Sequence, residues 1–491
     1  MNSNSKKLRP LMVLGCSSDA GKSLITTALC RWFRRRGVDV APFKAQNMSN
    51  NARVVDAEDG VGEIGVAQWL QARAAQVEPH VRMNPVLVKP DSEVTSQVVV
   101  RGRADLELSR IPWEHRHDAI WKPMAASFDE LRDRHELVVL EGAGSPAEIN
   151  LRDQVNNRMV EYADAAAMLV ADIDRGGSFA HLYGTWSLVP ESTRSRIGGY
   201  ILNKFRGDAG LLAPGPEMLT KKTGMEYLGH LPALSHRLPR EEGAREVSEV
   251  EPATDCTVML PRFPFGSNLD EFGRIEDLAR VRWVSGSTSL AELNAERDLL
   301  ILPGSKSVAR DYAWLEARGF VPEIRRAAQR GVRVLGVCGG AMMLGTSLHD
   351  PDGVEGGGPK VETLGLLDLT TRLSPSKRVD RVAGEFSNPG GSFGNLRSAE
   401  FEGYEIRFGE LSGTAARVGA VGTGSQSRPV AWSDGTGVLA TTVHGLFEQT
   451  SFLERVFGVR PPDPLEETLE QLADAVEEFL DTERLLKLVR T

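Results

Sequence analysis

Two short stretches carry residues whose types and spacing suit chemistry. The first, GCSSDAGKS at 15–23, ends in Gly21, Lys22 and Ser23. In a phosphate loop such residues supply backbone N–H groups, a cation and a hydroxyl that helps hold Mg2+. Its start departs from G-x-x-x-x-G-K-[ST]: Cys16 stands where the first glycine belongs, and Gly15 is one position early. The second stretch, VRVLGVCGGAMML, sets Cys338 between an apolar run and small residues. A nucleophile on such a turn gains backbone N–H donors and a helix N-terminus that favours the thiolate. A nucleophilic cysteine needs a base within hydrogen-bond reach, and His444 in TTVHGLFE is the candidate among nine histidines. Glu141, closing LVVLEGAGS, puts a carboxylate at a strand end, where it can reach Mg2+ directly or through water.

These groups need a scaffold that holds strand ends beside one another. PLMVLG has the length of a buried strand, and KSLITTALCRWFRRRG follows with helical spacing and a glycine stop. VDVAPFK, ELVVLEG, AAMLVADID and IGGYILNKF are further strand candidates with helical stretches between them. A second alternating series begins at CTVMLPRF and continues through DLLILPGSKS, VRVLGVCGG and GVLATTVHG. The fold class expected is α/β, with two doubly wound domains. Periodicity fails near 238–256, so the boundaries expected are 1–240 for a phosphate-loop domain, 241–256 for a linker and 257–491 for the second domain. GEFSNPGGSFGNLRSAE at 384–400 reads as a mobile loop, and 463–489 as a closing amphipathic helix or helix pair carried by the second domain.

The 491 residues exceed what one core usually serves, and a 41% hydrophobic, 25% charged composition is that of a folded chain. A net charge of -9 argues against nucleic acid or a membrane surface as partner. Four scattered cysteines without a C-x-x-C pair favour a reducing cytoplasm, and no apolar run approaches membrane-spanning length. Oligomeric assembly is compatible with all of this.

SSDAGKS, PFKAQNMSNN, GEIGVAQWLQA, MNPVLVKP, SQVVV, EGAGSPAEINL, ADIDRGGSFAHLYGT and NKFRGD occur in this order. As a series over nearly the whole chain they resemble the glutamine-dependent cobyric acid synthase family, whose first domain is similar to dethiobiotin synthetase. Loops of that kind carry an extra residue, which accounts for the displaced Gly15. The resemblance implies that Lys22 and Ser23 bind ATP phosphates and Mg2+, with Asp19 and Glu141 near the metal and Glu63 a further metal or substrate residue. Asn203 and Lys204 would receive the adenine. Lys44, Gln46, Asn47, Asp172, Asp174 and Arg175 follow strands at the ligand edge, and their cationic, amide-rich character suits a substrate bearing several carboxylates. The chain departs from the family pattern after INLRD, where QVNN is shorter, and at KPDSEVTSQ, although Lys89, Ser96 and Gln97 remain.

Cys338 and His444, with LPGSKS at 302–307, resemble a class I glutamine amidotransferase domain. That likeness implies attack of the cysteine on the glutamine amide, with an oxyanion hole near Gly304 and Gly339. Two positions differ from its relatives. Leu446 stands where many have the glutamate that orients the histidine, leaving Glu448 or no residue as third member, and Arg407 replaces a usual histidine.

Amidation requires an activated carboxylate and neutral ammonia, which explains why a phosphoryl-transfer domain and a glutaminase would share one chain. The resemblance implies amidation of the b, d, e and g carboxylates of adenosylcobyrinic acid a,c-diamide, a corrinoid, with ATP, Mg2+ and glutamine. The alternatives are the earlier a,c-diamide synthase and a phosphate-loop switch with a decayed glutaminase domain.

Overall fold

The computed structural model describes residues 7–91, 95–112, 115–150, 155–234, 238–239, 251–356, 358–422 and 427–490. Six apolar runs form a parallel sheet in the order Glu226–Pro232, Ile197–Phe205, Ala166–Asp172, Leu11–Gly15, Leu137–Glu141 and Val40–Phe43. LMVLG, LVVLE and AAMLVAD are buried along their whole length, as strands covered on both faces must be. Alternate side chains feed two cores. Leu11 and Val13 join the helix Lys22–Arg35 in one, and Met12 and Leu14 join the helix His117–Arg134 in the other. Leu11–Gly15 is central, so the loops after five adjacent strands meet at one edge.

Between Val40–Phe43 and His117–Arg134 the chain inserts a four-stranded sheet, built from Gln46–Met48, Val86–Pro90, Ser96–Val100 and Arg103–Asp105, and a hairpin, Ala52–Ala57 with Gly60–Gly65. This insertion faces the second domain. Asn268 exchanges hydrogen bonds with the Ala52 backbone at 3.3 and 3.2 Å, and the Leu269 N–H donates to Asn51 Oδ1 at 3.1 Å.

The second domain carries five parallel strands in the order Arg280–Val284, Thr257–Pro261, Leu299–Leu302, Arg333–Val337 and Val438–Thr441, extended by antiparallel strands. The longest, Leu369–Phe386, pairs with Glu400–Gly413 in a hairpin that reaches the inserted strands of the first domain. Residues 384–400, expected to be a mobile loop, form the packed connection of this hairpin, with Phe393 and Leu396 buried under it.

The closing segment is a helix pair, Leu465–Phe479 and Thr482–Arg490, but it lies on the first domain rather than the second. Leu469, Leu472 and Val476 share a core with Leu29 and Phe33. Arg31 bridges Glu466 at 2.6 Å and Glu470 at 3.2 Å, and Trp32 Nε1 donates to Glu477 at 2.7 Å. Apolar spacing shows that a helix has a face to bury but not which surface will cover it. Of the expected linker, 241–250 lie outside the described residues. All four cysteines are free thiols, and no helix among the described residues is long and apolar enough to cross a membrane.

Candidate functional site

The phosphate loop joins the central strand to the helix Lys22–Arg35. Gly21 caps that helix at φ 95°, and a Cβ there would strike Asn203 Nδ2 at 2.0 Å. Lys22 folds back over the strand end, its Nζ donating to the Ser17 carbonyl at 3.3 Å, and a Cβ at Gly15 would lie 2.8 Å from that nitrogen. The early glycine therefore makes room for the lysine.

Strand ends on either side supply partners. On one flank the fully buried Glu141 carboxylate accepts from Ser23 Oγ at 2.7 Å and Lys44 Nζ at 2.9 Å on one oxygen, and from Gln71 Nε2 at 2.5 Å on the other. Gln46 lines a small cavity beside Glu141, and Asn47 Nδ2 donates to Gln68 Oε1 at 2.9 Å. On the other flank Asp172 accepts from Lys204 Nζ at 2.8 Å and lies 3.4 Å from Arg175 Nε. Arg175 lies 3.5 Å from Asp19, and Asp174 lies 3.8 Å from Arg206. This flank is more open to solvent. Asn203 is buried and donates to the Ala20 carbonyl at 2.9 Å, so it braces the loop from beneath.

Glu63 stands apart from the other expected metal residues. Its carboxylate, fully buried, accepts from Lys89 Nζ at 2.5 Å on one oxygen and from Lys377 of the second domain on the other. Burial alone would raise its pKa, but the two ammonium groups hold it down at about 2. Both carboxylate oxygens are thus taken up by ammonium groups, one of them from the second domain, so Glu63 joins the two domains. Gln71 was not singled out from sequence. Gln68 and Gln71, one turn apart on an alanine-rich helix, are the signal that would have found it.

The glutaminase half centres on Cys338, which ends the strand Arg333–Val337 and caps the helix Gly339–Leu344 at φ 50°, ψ -104°. Backbone held in this sparsely populated region presents Sγ at the elbow. Gly339 follows Cys338 directly, and Gly304 lies beside His444: a side chain at Gly339 would press on Ser305, and one at Gly304 on His444 and the Ser267 carbonyl. The Gly339 N–H begins a helix, where first-turn N–H groups lack intrahelical acceptors. Ser305 is fixed by Asp311, which accepts its hydroxyl at 2.5 Å.

His444 Nδ1 lies 2.9 Å from Glu271 Oε1, whose second oxygen accepts the Gly445 N–H at 2.8 Å. Burial alone would lower the imidazole pKa. The Glu271 carboxylate and the hydrogen-bonded Cys338 outweigh it and raise the value to about 10. Glu271 thus occupies the third place. Glu448 turns away and pairs with Arg53 of the first domain. Glu271 lies 173 residues before His444 in the chain, and no local spacing betrays it. Arg407 donates through Nε to Glu405 at 2.9 Å, lies 3.3 Å from Glu410 and bonds the Gly409 carbonyl. Its charge is neutralised within the wall of the cysteine pocket. Residues 151–154, in the shortened segment, lie outside the described residues.

Comparison with known proteins matches residues 11–242 to the CobQ/CobB/MinD/ParA nucleotide binding domain and 256–452 to the CobB/CobQ-like glutamine amidotransferase domain. The chain is 48% identical to a cobyric acid synthase of Paracidovorax citrulli, covering 96% of this chain and 97% of that one. It is 45% identical to one from Polaromonas naphthalenivorans and 46% identical to one from Variovorax paradoxus, each alignment covering 98% of this chain and 99% of the relative. With both domains matched in order and identity sustained end to end, the chain belongs to the cobyric acid synthase family.

Proposed function

We propose that this chain uses ATP and glutamine to convert the b, d, e and g carboxylates of adenosylcobyrinic acid a,c-diamide into amides, giving adenosylcobyric acid in cobalamin biosynthesis. Residues 1–240 make up the ATP domain and 257–491 the glutaminase domain, with the terminal helices returning to the former. The observation that carries the reading is the presence in one chain of a Cys338–His444–Glu271 arrangement and a Lys22–Ser23–Glu141 arrangement, with buried contacts between their domains.

At the first site a substrate carboxylate oxygen attacks the ATP γ-phosphorus and ADP departs, leaving an acyl phosphate. Lys22 and the loop N–H groups stabilise charge on the transferring group, and Lys44, with Gln46 and Asn47 nearby, orients the carboxylate. The Ser23 hydroxyl and the Glu141 carboxylate lie side by side and fit Mg2+, which when bound would neutralise phosphate charge. Asp19 flanks this place from the solvent side. Asp172, Asp174, Arg175 and Lys204 line the other flank, toward nucleotide and corrinoid.

At the second site the Cys338 thiolate attacks the glutamine amide carbon, with the Gly304 and Gly339 N–H groups receiving the oxyanion. His444, held by Glu271, gives its proton to the departing ammonia and then takes one from the water that cleaves the thioester. Ammonia attacks the acyl phosphate and phosphate leaves. ATP and glutamine are cytoplasmic metabolites, and the reaction takes place there with the corrinoid as partner; it needs neither nucleic acid nor membrane.

Incubation of the corrinoid with the protein, Mg-ATP and glutamine tests this reading. Four successive acid-to-amide conversions, each with one glutamate and one ADP, are expected. Recovery of unchanged corrinoid from folded, ATP-binding protein would overturn it.

A further inference from the structure

The pocket lined by Cys338 and His444 is also lined by Lys306, Lys377 and Glu355, and by Lys89 from the ATP domain. Lys306 and Lys377 Nζ both donate to Gln97 Oε1, at 2.9 and 2.8 Å, while Glu63 pairs with Lys89 and Lys377. Glu63 thus contacts the Lys89 and Lys377 ammonium groups, and Lys306 is joined to Lys377 through Gln97. Buried charge calls for compensation, and burial together with Lys89 pulls Lys306 down to about 8. Glu355 supplies a carboxylate on the same pocket; it accepts the Ala309 N–H at 3.4 Å, and desolvation pushes its pKa up to about 7 against the pull of Lys306. A cavity lined by a thiol together with several cations and a carboxylate complements a molecule that carries both an amide and a zwitterion.

We propose that the glutamine head group is read at the boundary between the domains: Lys306 and Lys377, joined by Lys89 of the ATP domain, bind its α-carboxylate, and Glu355 binds its α-ammonium. The glutaminase pocket is then complete only when the ATP domain is docked, with Glu63 and Gln97 as positioning residues for the lysines. This rests on the glutaminase reading above and adds the residues that select glutamine.

The test uses the intact enzyme and measures hydrolysis of glutamine, of 4-aminobutanamide, which lacks the α-carboxylate, and of glutaramate, which lacks the α-amino group. Where turnover of an analogue is slow, its inhibition constant against glutamine replaces kcat/KM. Lys306→Met and Lys89→Met should each cut the preference for glutamine over 4-aminobutanamide about tenfold or more while keeping the preference over glutaramate. Glu355→Gln should do the reverse. Each preference is a ratio within one preparation, so a loss of folded protein cancels. Both ratios unchanged in the Lys306 and Glu355 variants would overturn the proposal, and Lys89→Met alone at wild-type values would overturn the part given to the ATP domain. Failure of the unsubstituted enzyme to release glutamate would instead sink the glutaminase reading itself.

Discussion

Arg53, on the inserted hairpin of the ATP domain, is buried in an ion pair with Asp270 of the glutaminase domain. The next residue, Glu271, pairs with His444, and Arg53 also pairs with Glu448. One side chain of the first domain therefore anchors the segment that carries the acid of the second.

Arg53→Ala leaves Asp270 buried without its partner, and removing one member of a buried pair costs about 3–5 kcal/mol. The expected outcome is a lower melting temperature together with a glutaminase kcat reduced more than its KM is changed. Both are read by thermal denaturation and by glutamate release. An unchanged kcat in folded protein would separate Arg53 from the triad.

Glu271→Gln keeps a hydrogen-bond partner for His444 but removes the charge. Glutaminase kcat should fall by roughly 10²–10⁴-fold, as when the acid of a triad is neutralised. The histidine pKa is raised in the folded protein, so its stabilising contribution is complete below the unfolded value near 6.5 and is lost as pH rises toward about 10. In the variant that loss moves to lower pH. Chemical denaturation across pH 6 to 10 should show a flatter curve than the parent protein.

The two sites should separate cleanly by nitrogen donor. Lys22→Ala and Glu141→Gln are expected to abolish amidation with glutamine and with ammonium salts alike, while glutamate is still released from glutamine. Amidation persisting at wild-type rate in Lys22→Ala would remove the phosphate loop from the chemistry.

Deleting residues 465–491 exposes Leu29 and Phe33 of the phosphate-loop helix and removes Leu469, Leu472 and Val476. Each fully buried side chain of this size contributes about 1.5–3 kcal/mol. The truncated ATP domain should melt first, reported by Trp32, which bonds Glu477, while the glutaminase half retains its structure.

The phosphate loop, Glu141, Cys338 and His444 were legible because each sits where an apolar strand meets a turn, a local pattern. Glu271 was not, since a triad acid can come from any part of the chain that folds back to the histidine. The sequence offers Glu63 as a metal or substrate residue, and GEIG says nothing of Lys377, which reaches it from 314 residues away. The long hairpin over 369–413 was obscured by its Gly, Ser and Asn content near 384–400, although Phe393 and Leu396 pin that connection. The terminal helices were recognised by their period and assigned to the wrong partner, since amphipathicity has no address.

The central claim is that nitrogen freed at Cys338 is consumed at the phosphate-loop site. Mass spectrometry of the corrinoid formed from amide-15N glutamine, in the presence of excess unlabelled ammonium, tests it most directly. The account predicts 15N in all four new amides for the unsubstituted enzyme and only unlabelled nitrogen for Cys338→Ala. New amides carrying unlabelled nitrogen in the unsubstituted enzyme, with glutamine still hydrolysed, would contradict it.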